Sequence, residues 1–555
     1  MADPVLPTGT PAWRGGGHDG ELTMVDGERL TPSRRRTLGM IGAVGAAGAA
    51  ALVGLGWRLD SRPAAAPADP HYPGDLVEAG TPGVVHRTPG RFPVVLENSR
   101  PGAAGFRLTG HRFGTDRSGE IAGYASTTSI EPGEELVFRV SVAPAQQYRG
   151  AVFRIGHYGG AGARMVAQGP WLDGTTQPAP TVSAETGTVS CAWSPGWRLR
   201  IGPDWISGQY LALLSTASGH HHWVPFVVRG PARTCGALVV IPTSTYQAYN
   251  QWPLDGRTGA SLYYGHDGTG RRSPTHRSRA VSHDRPYAES GLPHLAADDI
   301  GFVQWAEAQG HDLTYATSED LHTGRVEPGR HQAVIFPGHD EYWSARMRTA
   351  VVTARNGGTS LVFLGANNCY WRIRYGVDDH DERLVRCDKV DEPRNGVVPT
   401  TPMWRKTGSP EQHLIGSQYV SVVDGRAPLV VRASGHWFWA GTGVRDGDCI
   451  PDVVWGEADQ RMPGVGGPRA VEQVQLADSP FHRKGTAQRQ HTQLYRARSG
   501  AWVFAAGSLG WTRALHDPAI ADPRVDRATR NLLHRVLGEV PAETDQPVNA
   551  SAARR

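Results

Sequence analysis

The fold class this sequence predicts is α/β plus all-β: an N-terminal antiparallel β-sandwich followed by a doubly wound α/β domain. Three observations carry that expectation. Over residues 69–232 short alternating runs recur, PVVLEN, GFRLTG, ELVFRVSV, AVFRIGHYG, WRLRI and HHWVPFVV, separated by Gly, Pro and Asp. That spacing suits a sandwich. Over 233–541 the pattern changes to short continuous apolar runs alternating with helix-length segments, as in parallel strands covered on both faces. Ionisable and aromatic residues gather where those runs end, and open α/β sheets bind their ligands at such strand exits.

Gly236 to Pro242, GALVVIP, reads as the first strand of the α/β half, and Tyr246 and Tyr249 follow it in TSTYQAYNQW. A turn-rich SLYYGHDGTG comes next, over Ser261 to Gly270, then a helix-like Ala296 to Gln309 and a strand-like Leu313 to Ala316. Ala333 to Phe336 is a buried strand running into His339, Asp340 and Glu341, with a helix expected over Tyr342 to Arg355 and ended by Asn356-Gly357-Gly358. Ser360 to Gly365 is another strand, with Asn367, Asn368 and Cys369 at its exit. Residues 366–470 hold many turn formers and read as insertions over the sheet edge. Ala501 to Leu515 reads as a strand and Gly-rich turn, and Val525 to Leu537 as a closing helix.

A chain of 555 residues exceeds one ordinary domain. Its 39% hydrophobic content, with 17 Trp and 69 Gly, suits a loop-rich globular enzyme. The net charge of +4 is small, and the basic residues are nearly all Arg, the lysines being Lys389, Lys406 and Lys484. Arg dispersed without aromatic interleaving leaves no nucleic-acid footprint. The five cysteines, Cys191, Cys235, Cys369, Cys387 and Cys449, lack CxxC spacing, which gives no support to a zinc ribbon or redox pair.

Residues 1–68 read as a disordered extension and a twin-arginine signal. Ser33-Arg34-Arg35-Arg36-Thr37-Leu38 precedes the small-residue apolar run Gly39 to Leu55, and Ala66-Pro67-Ala68 offers a cleavage site. The run is too rich in Gly and Ala for a spanning helix, which wants about 20 strongly apolar residues. Export to the cell envelope or beyond by the twin-arginine machinery is therefore the expected localisation, in preference to a membrane anchor. Residues 542–555 read as a polar tail.

His339-x-Glu341 after a strand admits three readings: a hydrolytic pair, a metal site, or acids that complement the dipole of the following helix. The tyrosines weigh toward metal, because phenolate and carboxylate make a hard anionic oxygen set suited to a trivalent cation. A cysteine hydrolase built on Cys369, His339 and Glu341 is the rival, but Cys369 is flanked by Asn368 and Tyr370 rather than by the small residues of a nucleophile elbow. Asp284-Arg285-Pro286 reads as a turn fixed by an Asp-Arg pair, and Asp267 to Gly270 as a turn too poor in acids for calcium. Glu457, in WGEADQR, either reaches the site from an insertion as a catalytic candidate or makes a surface salt bridge.

Together TYQAYNQW, SLYYGHDGTG, PGHDEYWS and GANNCYWRI resemble the large (β) subunit family of N,N-dimethylformamidase, over roughly residues 235–540. The resemblance implies a glutamine-amidotransferase-like α/β domain without its cysteine nucleophile. It also implies a mononuclear iron(III) held by two tyrosines and a glutamate, which fall on Tyr246, Tyr263 and Glu341. Tyr249 and Tyr264 are the alternatives if the register slips. The histidine beside the metal falls on His339 and an asparagine on Asn367. The segment between the tyrosines is much shorter than the amidase's, and no feature of the chain corresponds to the small subunit the amidase requires. The expected activity is iron-dependent hydrolysis of a small amide C–N bond, with a homo-oligomer left open. The other readings are an exported non-catalytic binding protein and the Cys369 hydrolase.

Overall fold

The computed structural model describes residues 92–230, 235–389 and 401–538. The extension and twin-arginine signal expected over 1–68 and the tail expected over 542–555 lie outside those residues. Within them the protein is mixed α/β, with many strands and fewer helices. No described helix is long and apolar enough to cross a membrane.

In the first half, Glu135–Ser141 is the centre of a three-stranded antiparallel sheet between Ala122–Ala125 and Pro195–Arg200. A second sheet follows the order Ser129–Ile130, His221–Val228, Gly208–Thr216, Gln146–Ile155, Ala163–Gln168. Strict alternation along Glu135–Ser141 sends Leu136, Phe138 and Val140 inward, where they share one apolar cluster with Tyr148, Val152, Leu214 and Phe226 of the second sheet. The run PVVLEN, expected as a strand, is instead the helix Pro93–Asn98. Proline at its first turn presets the helical φ. Asn98 Oδ1 also accepts the backbone N–H groups of His157 and Tyr158 at 2.6 and 3.0 Å, so tertiary contacts override the β-propensity of the two valines.

The second half is built on a seven-stranded sheet in the order Leu313–Thr317, Cys235–Ile241, His331–Phe336, Ser360–Phe363, Trp502–Ala505, Thr486–Ala497, Ala470–Arg483. The first five strands are parallel. The last two add an antiparallel hairpin, which the doubly wound expectation did not include. Successive side chains of the parallel strands go to opposite faces. Val239, Ile241, Ala333 and Ile335 pack with Ile300, Phe302, Trp511 and Leu532 on one side. Leu238, Val240, Val334 and Phe336 pack with Leu321, Met347 and Val351 on the other. Helices thus cover both faces, as the continuous apolar runs require.

Two further expectations are corrected. Tyr342–Ser344 is a short strand parallel to Trp371–Tyr375, and the helix begins only at Ala345, where Ser344 Oγ accepts the Met347 N–H at 3.2 Å. Residues 366–470, read as irregular insertions, contain the long strands Gln418–Val430 and Cys449–Gln460, paired antiparallel as a ribbon with several register shifts. That ribbon carries Glu457.

Candidate active site

The strand ending at Phe336 leads into Pro337-Gly338, and the turn is tight enough that a Cβ on Gly365 would meet Gly338 O at 2.3 Å. His339, Asp340 and Glu341 follow directly. The backbone N–H groups of Glu341 and Tyr342 donate to Thr245 Oγ1 at 3.0 and 3.3 Å, which ties this turn to the helix Thr243–Tyr249. Tyr249 is the last residue of that helix. Tyr263 emerges from a turn in which Ser261 Oγ accepts the N–H groups of Tyr263 and Tyr264 at 3.2 and 3.1 Å. Local hydrogen bonds of this kind fix where each side chain points before any packing does.

The two phenols and the carboxylate converge. Tyr249 Oη donates to Glu341 Oε2 at 2.7 Å, Tyr263 Oη lies 2.8 and 2.7 Å from the two Glu341 oxygens, and the phenol oxygens are 2.9 Å apart. The rings stack with centroids 4.5 Å apart. Glu341 is 1% exposed. His339 Nε2 lies 3.6 Å from Glu341 Oε2 and 3.1 Å from Glu457 Oε2.

Burial governs the charges here. It pushes the carboxyl of Glu341 up, and it pushes the Tyr249 and Tyr263 phenols well above their ordinary value, with the neighbouring Glu341 adding to both. For His339 burial acts downward, but Glu457, Glu341 and Asp340 together outweigh it and raise the imidazole to about 9. Burial also raises Asp340 and Asp459 to about 7. Three groups that resist ionisation therefore share one point, where they hydrogen-bond one another.

The remaining sequence candidates separate in space. Tyr246, one turn before Tyr249, packs in the opposite core and donates to Asp299 Oδ2 at 2.5 Å. Tyr249 occupies the position beside Tyr263 and Glu341 instead. Tyr264 lies under the Arg272 guanidinium, 4.4 Å from its ring centre. Asn367 has a left-handed backbone, φ 56°, held by its N–H to Asp459 Oδ1 at 2.8 Å; its buried side-chain Oδ1 and Nδ2 have no protein partner. An unpartnered amide at a strand exit is a functional signal. Glu457 is 7% exposed and buried against His339, so the surface salt bridge is not its use. Cys369 is buried with Arg348 Nη1 at 3.6 Å, and burial pushes its thiol up to about 12, the reverse of what a nucleophile needs. No disulfide links Cys191, Cys369, Cys387 or Cys449.

Two residues near the site escaped the sequence reading. His294 stacks on Tyr249 with centroids 5.2 Å apart, and it is an exposed wall of the site. Lys389 Nζ sits 3.4 Å over the Tyr263 ring, and burial pushes its ammonium down to about 8. The scarcity of lysine in an arginine-rich chain was a usable signal for Lys389. Nothing local distinguishes His294.

Among the described residues no three His, Cys, Asp or Glu side chains gather into a metal-holding group. In this cluster two of the three oxygen groups are phenols. A protein named N,N-dimethylformamidase beta subunit, from Paracoccus aminophilus, is 25% identical over 217 residues, covering 33% of this chain and 28% of that protein. The chain thus matches less than a third of that relative's length. A solved cycloisomaltooligosaccharide glucanotransferase of Paenibacillus sp. aligns over 38% of this chain and 29% of its own at 11% identity, with a TM-score of 0.13, too low to bear on fold or function. The model of the family described as N,N-dimethylformamidase beta subunit-like, C-terminal, matches residues 149–525, a span that includes Tyr249, Tyr263, His339, Glu341, Asn367 and Glu457; the chain belongs to that family.

Proposed function

We propose that this protein hydrolyses the C–N bond of a small amide at a mononuclear ferric centre held by Tyr249, Tyr263 and Glu341. The observation that carries the reading is the convergence of two phenol oxygens, 2.9 Å apart, on one buried carboxylate, each within 2.7 Å of Glu341 Oε2. The donor set fits the ion: three hard oxygen groups, each bearing one negative charge when deprotonated, match a trivalent cation in charge and softness. A ferric ion held there supplies Lewis acidity toward an amide carbonyl and toward its attacking water.

The chain's own residues complete the chemistry. His339 lies 3.1 Å from Glu457, a carboxylate that favours its imidazolium. With Glu341 neutralised by a bound cation, the imidazolium would lose one of the carboxylates that favour it, and His339 would serve as the base that takes a proton from water and returns it to the departing amine. Glu457 orients the imidazole and stabilises it when charged. The Asn367 amide, buried and unpartnered, is available to donate to the oxygen that gains charge as the carbonyl is attacked.

The glutamine-amidotransferase-like description of the α/β half, the division into 69–232 and 233–541, and export through Arg34-Arg35 belong to the same proposal. The name of the Paracoccus relative, a beta subunit, supports association with a further chain. The test is metal content and colour. Purified protein should hold about one iron per chain and show a tyrosinate-to-iron charge-transfer band, and Tyr263→Phe should lose both the band and amide hydrolysis. Equal hydrolysis of formamides by wild type and Tyr263→Phe would overturn the reading.

A further inference from the structure

Two stacked phenols that must both ionise repel each other, so the backbone carrying them has to be held from outside. The segment joining Tyr249 to Tyr263 is irregular and offers a partner mainly its carbonyl groups. The buried side chain of Arg285 meets them: Nη2 donates to Asn250 O at 2.8 Å, and Nη1 donates to Ala260 O at 2.9 Å and reaches Trp252 O at 3.5 Å. Asn250 is the residue after Tyr249, and Ala260 lies just ahead of the turn that presents Tyr263. The expected Asp284–Arg285 pair does not form. Asp284 accepts instead from Arg383 at 2.8 Å, and no carboxylate among the described residues pairs with Arg285. Burial without a counter-ion pushes the guanidinium down to about 10. A desolvated cation placed against carbonyls alone is costly, and such an arrangement persists where it holds something.

A second contact grips the same segment from the first half of the chain. Asp116 Oδ2 accepts the Leu254 N–H and its Oδ1 accepts the Glu289 N–H, each at 2.8 Å. Glu289 lies on the loop that leads to His294. Trp252 and Ala260 also pack with Tyr124, Cys191 and Trp193 in a small apolar cluster.

We propose that Arg285, with Asp116, is a positioning brace that sets the spacing of Tyr249 and Tyr263 and thereby the fit of the site to its ion. The guanidinium fork spans both ends of the segment, whereas an ammonium is a point donor and cannot hold both at fixed geometry. This rests on Tyr249 and Tyr263 being the ligating phenols. The test compares wild type, Arg285→Lys and Asp116→Ala by two readouts. Titration of metal-free protein with ferric ion, followed by the charge-transfer band, should give a shifted band and about 10- to 100-fold weaker binding in Arg285→Lys. Amide hydrogen exchange of the metal-free proteins should rise over residues 250–263 and stay unchanged over 345–356. Should Arg285→Lys not fold, Asp116→Ala carries the same test with a smaller shift. A folded variant with wild-type band, affinity and exchange overturns the brace. If wild type itself binds no ferric ion, the metal reading fails, and faster exchange over 250–263 still supports the brace while unchanged exchange removes it.

Discussion

Glu319 and Glu341 are both 1% exposed and both accept tyrosine hydroxyls, yet their surroundings drive them in opposite directions. Glu319 lies where the two halves of the chain meet. It accepts Thr128 Oγ1 at 2.9 Å, Thr243 Oγ1 at 2.5 Å and Tyr375 Oη at 2.8 Å, with His283 Nε2 at 3.2 Å. Burial alone would raise its carboxyl, but His283 and these hydroxyls outweigh burial and hold it at about 2. Glu341 receives two phenols whose own protons are hard to lose, while the nearby imidazole turns to Glu457, and burial keeps its carboxyl up. One glutamate is a finished structural contact. The other is kept up by burial among phenols that hold their protons, and a perturbed buried carboxyl of that kind, unlike a fully satisfied one, is what a chemical site presents.

The sharpest way to break the comparison is to remove each carboxylate. Glu341→Ala should reduce iron from about one per chain to none and turnover to background, while the metal-free protein melts no lower than metal-free wild type. Glu319→Ala should do the opposite. It leaves His283, Thr243 and Tyr375 without their buried acceptor, so denaturant unfolding should show a loss of about 3–5 kcal/mol, with metal per folded chain unchanged. Exchanged outcomes would mean that the two roles have been assigned the wrong way round.

Proton transfer comes next in size. His339→Ala should keep its iron and lose about 10²- to 10⁴-fold in kcat, which metal analysis alongside steady-state kinetics would check. Acid titration tests the structural glutamate without mutation. Because the folded value near 2 lies below the ordinary 4.5, Glu319 contributes its stability above pH 4.5 and loses it as the pH falls toward 2, about 3 kcal/mol in all. The difference in unfolding free energy between wild type and Glu319→Gln should shrink across that window. Asn367→Ala should cost about 3 kcal/mol in kcat/KM, or roughly 10²-fold, at constant iron content. The smallest effect belongs to Cys369→Ala, which should leave hydrolysis close to wild type, since the thiol faces Arg348 and stays protonated. Loss of activity there with iron retained would revive the cysteine mechanism.

Much of the α/β half was legible because period and length are local properties. The apolar runs at Gly236, Leu313, Ala333 and Ser360 could only be covered strands, and each is one. The helix ended by Asn356-Gly357-Gly358 was likewise readable from its punctuation, although its start was not, because Tyr342–Ser344 pairs with a strand from Trp371–Tyr375 that no local pattern announces. The long ribbon at 418–460 was missed for a similar reason. Its register shifts break the alternation that a strand reading relies on. Tyr263, His339 and Glu341, which the structure brings together, could be named from their place after strands and turns, whereas it took the folded structure to show that Tyr249 meets Glu341 while Tyr246 meets Asp299.

The sequence by itself determined the strand and helix types of the parallel core, the exits at which chemistry gathers, and the residue classes of the site, since these follow from apolar period, turn residues and side-chain charge. Only the tertiary structure decided the partners. Whether Glu341 meets Tyr249 or Tyr246, whether Glu457 reaches His339, and whether Arg285 meets loop carbonyls or pairs with Asp284 depend on contacts between residues tens to hundreds of positions apart. Such contacts are selected by burial and hydrogen-bond satisfaction in the folded state, and no local pattern encodes them.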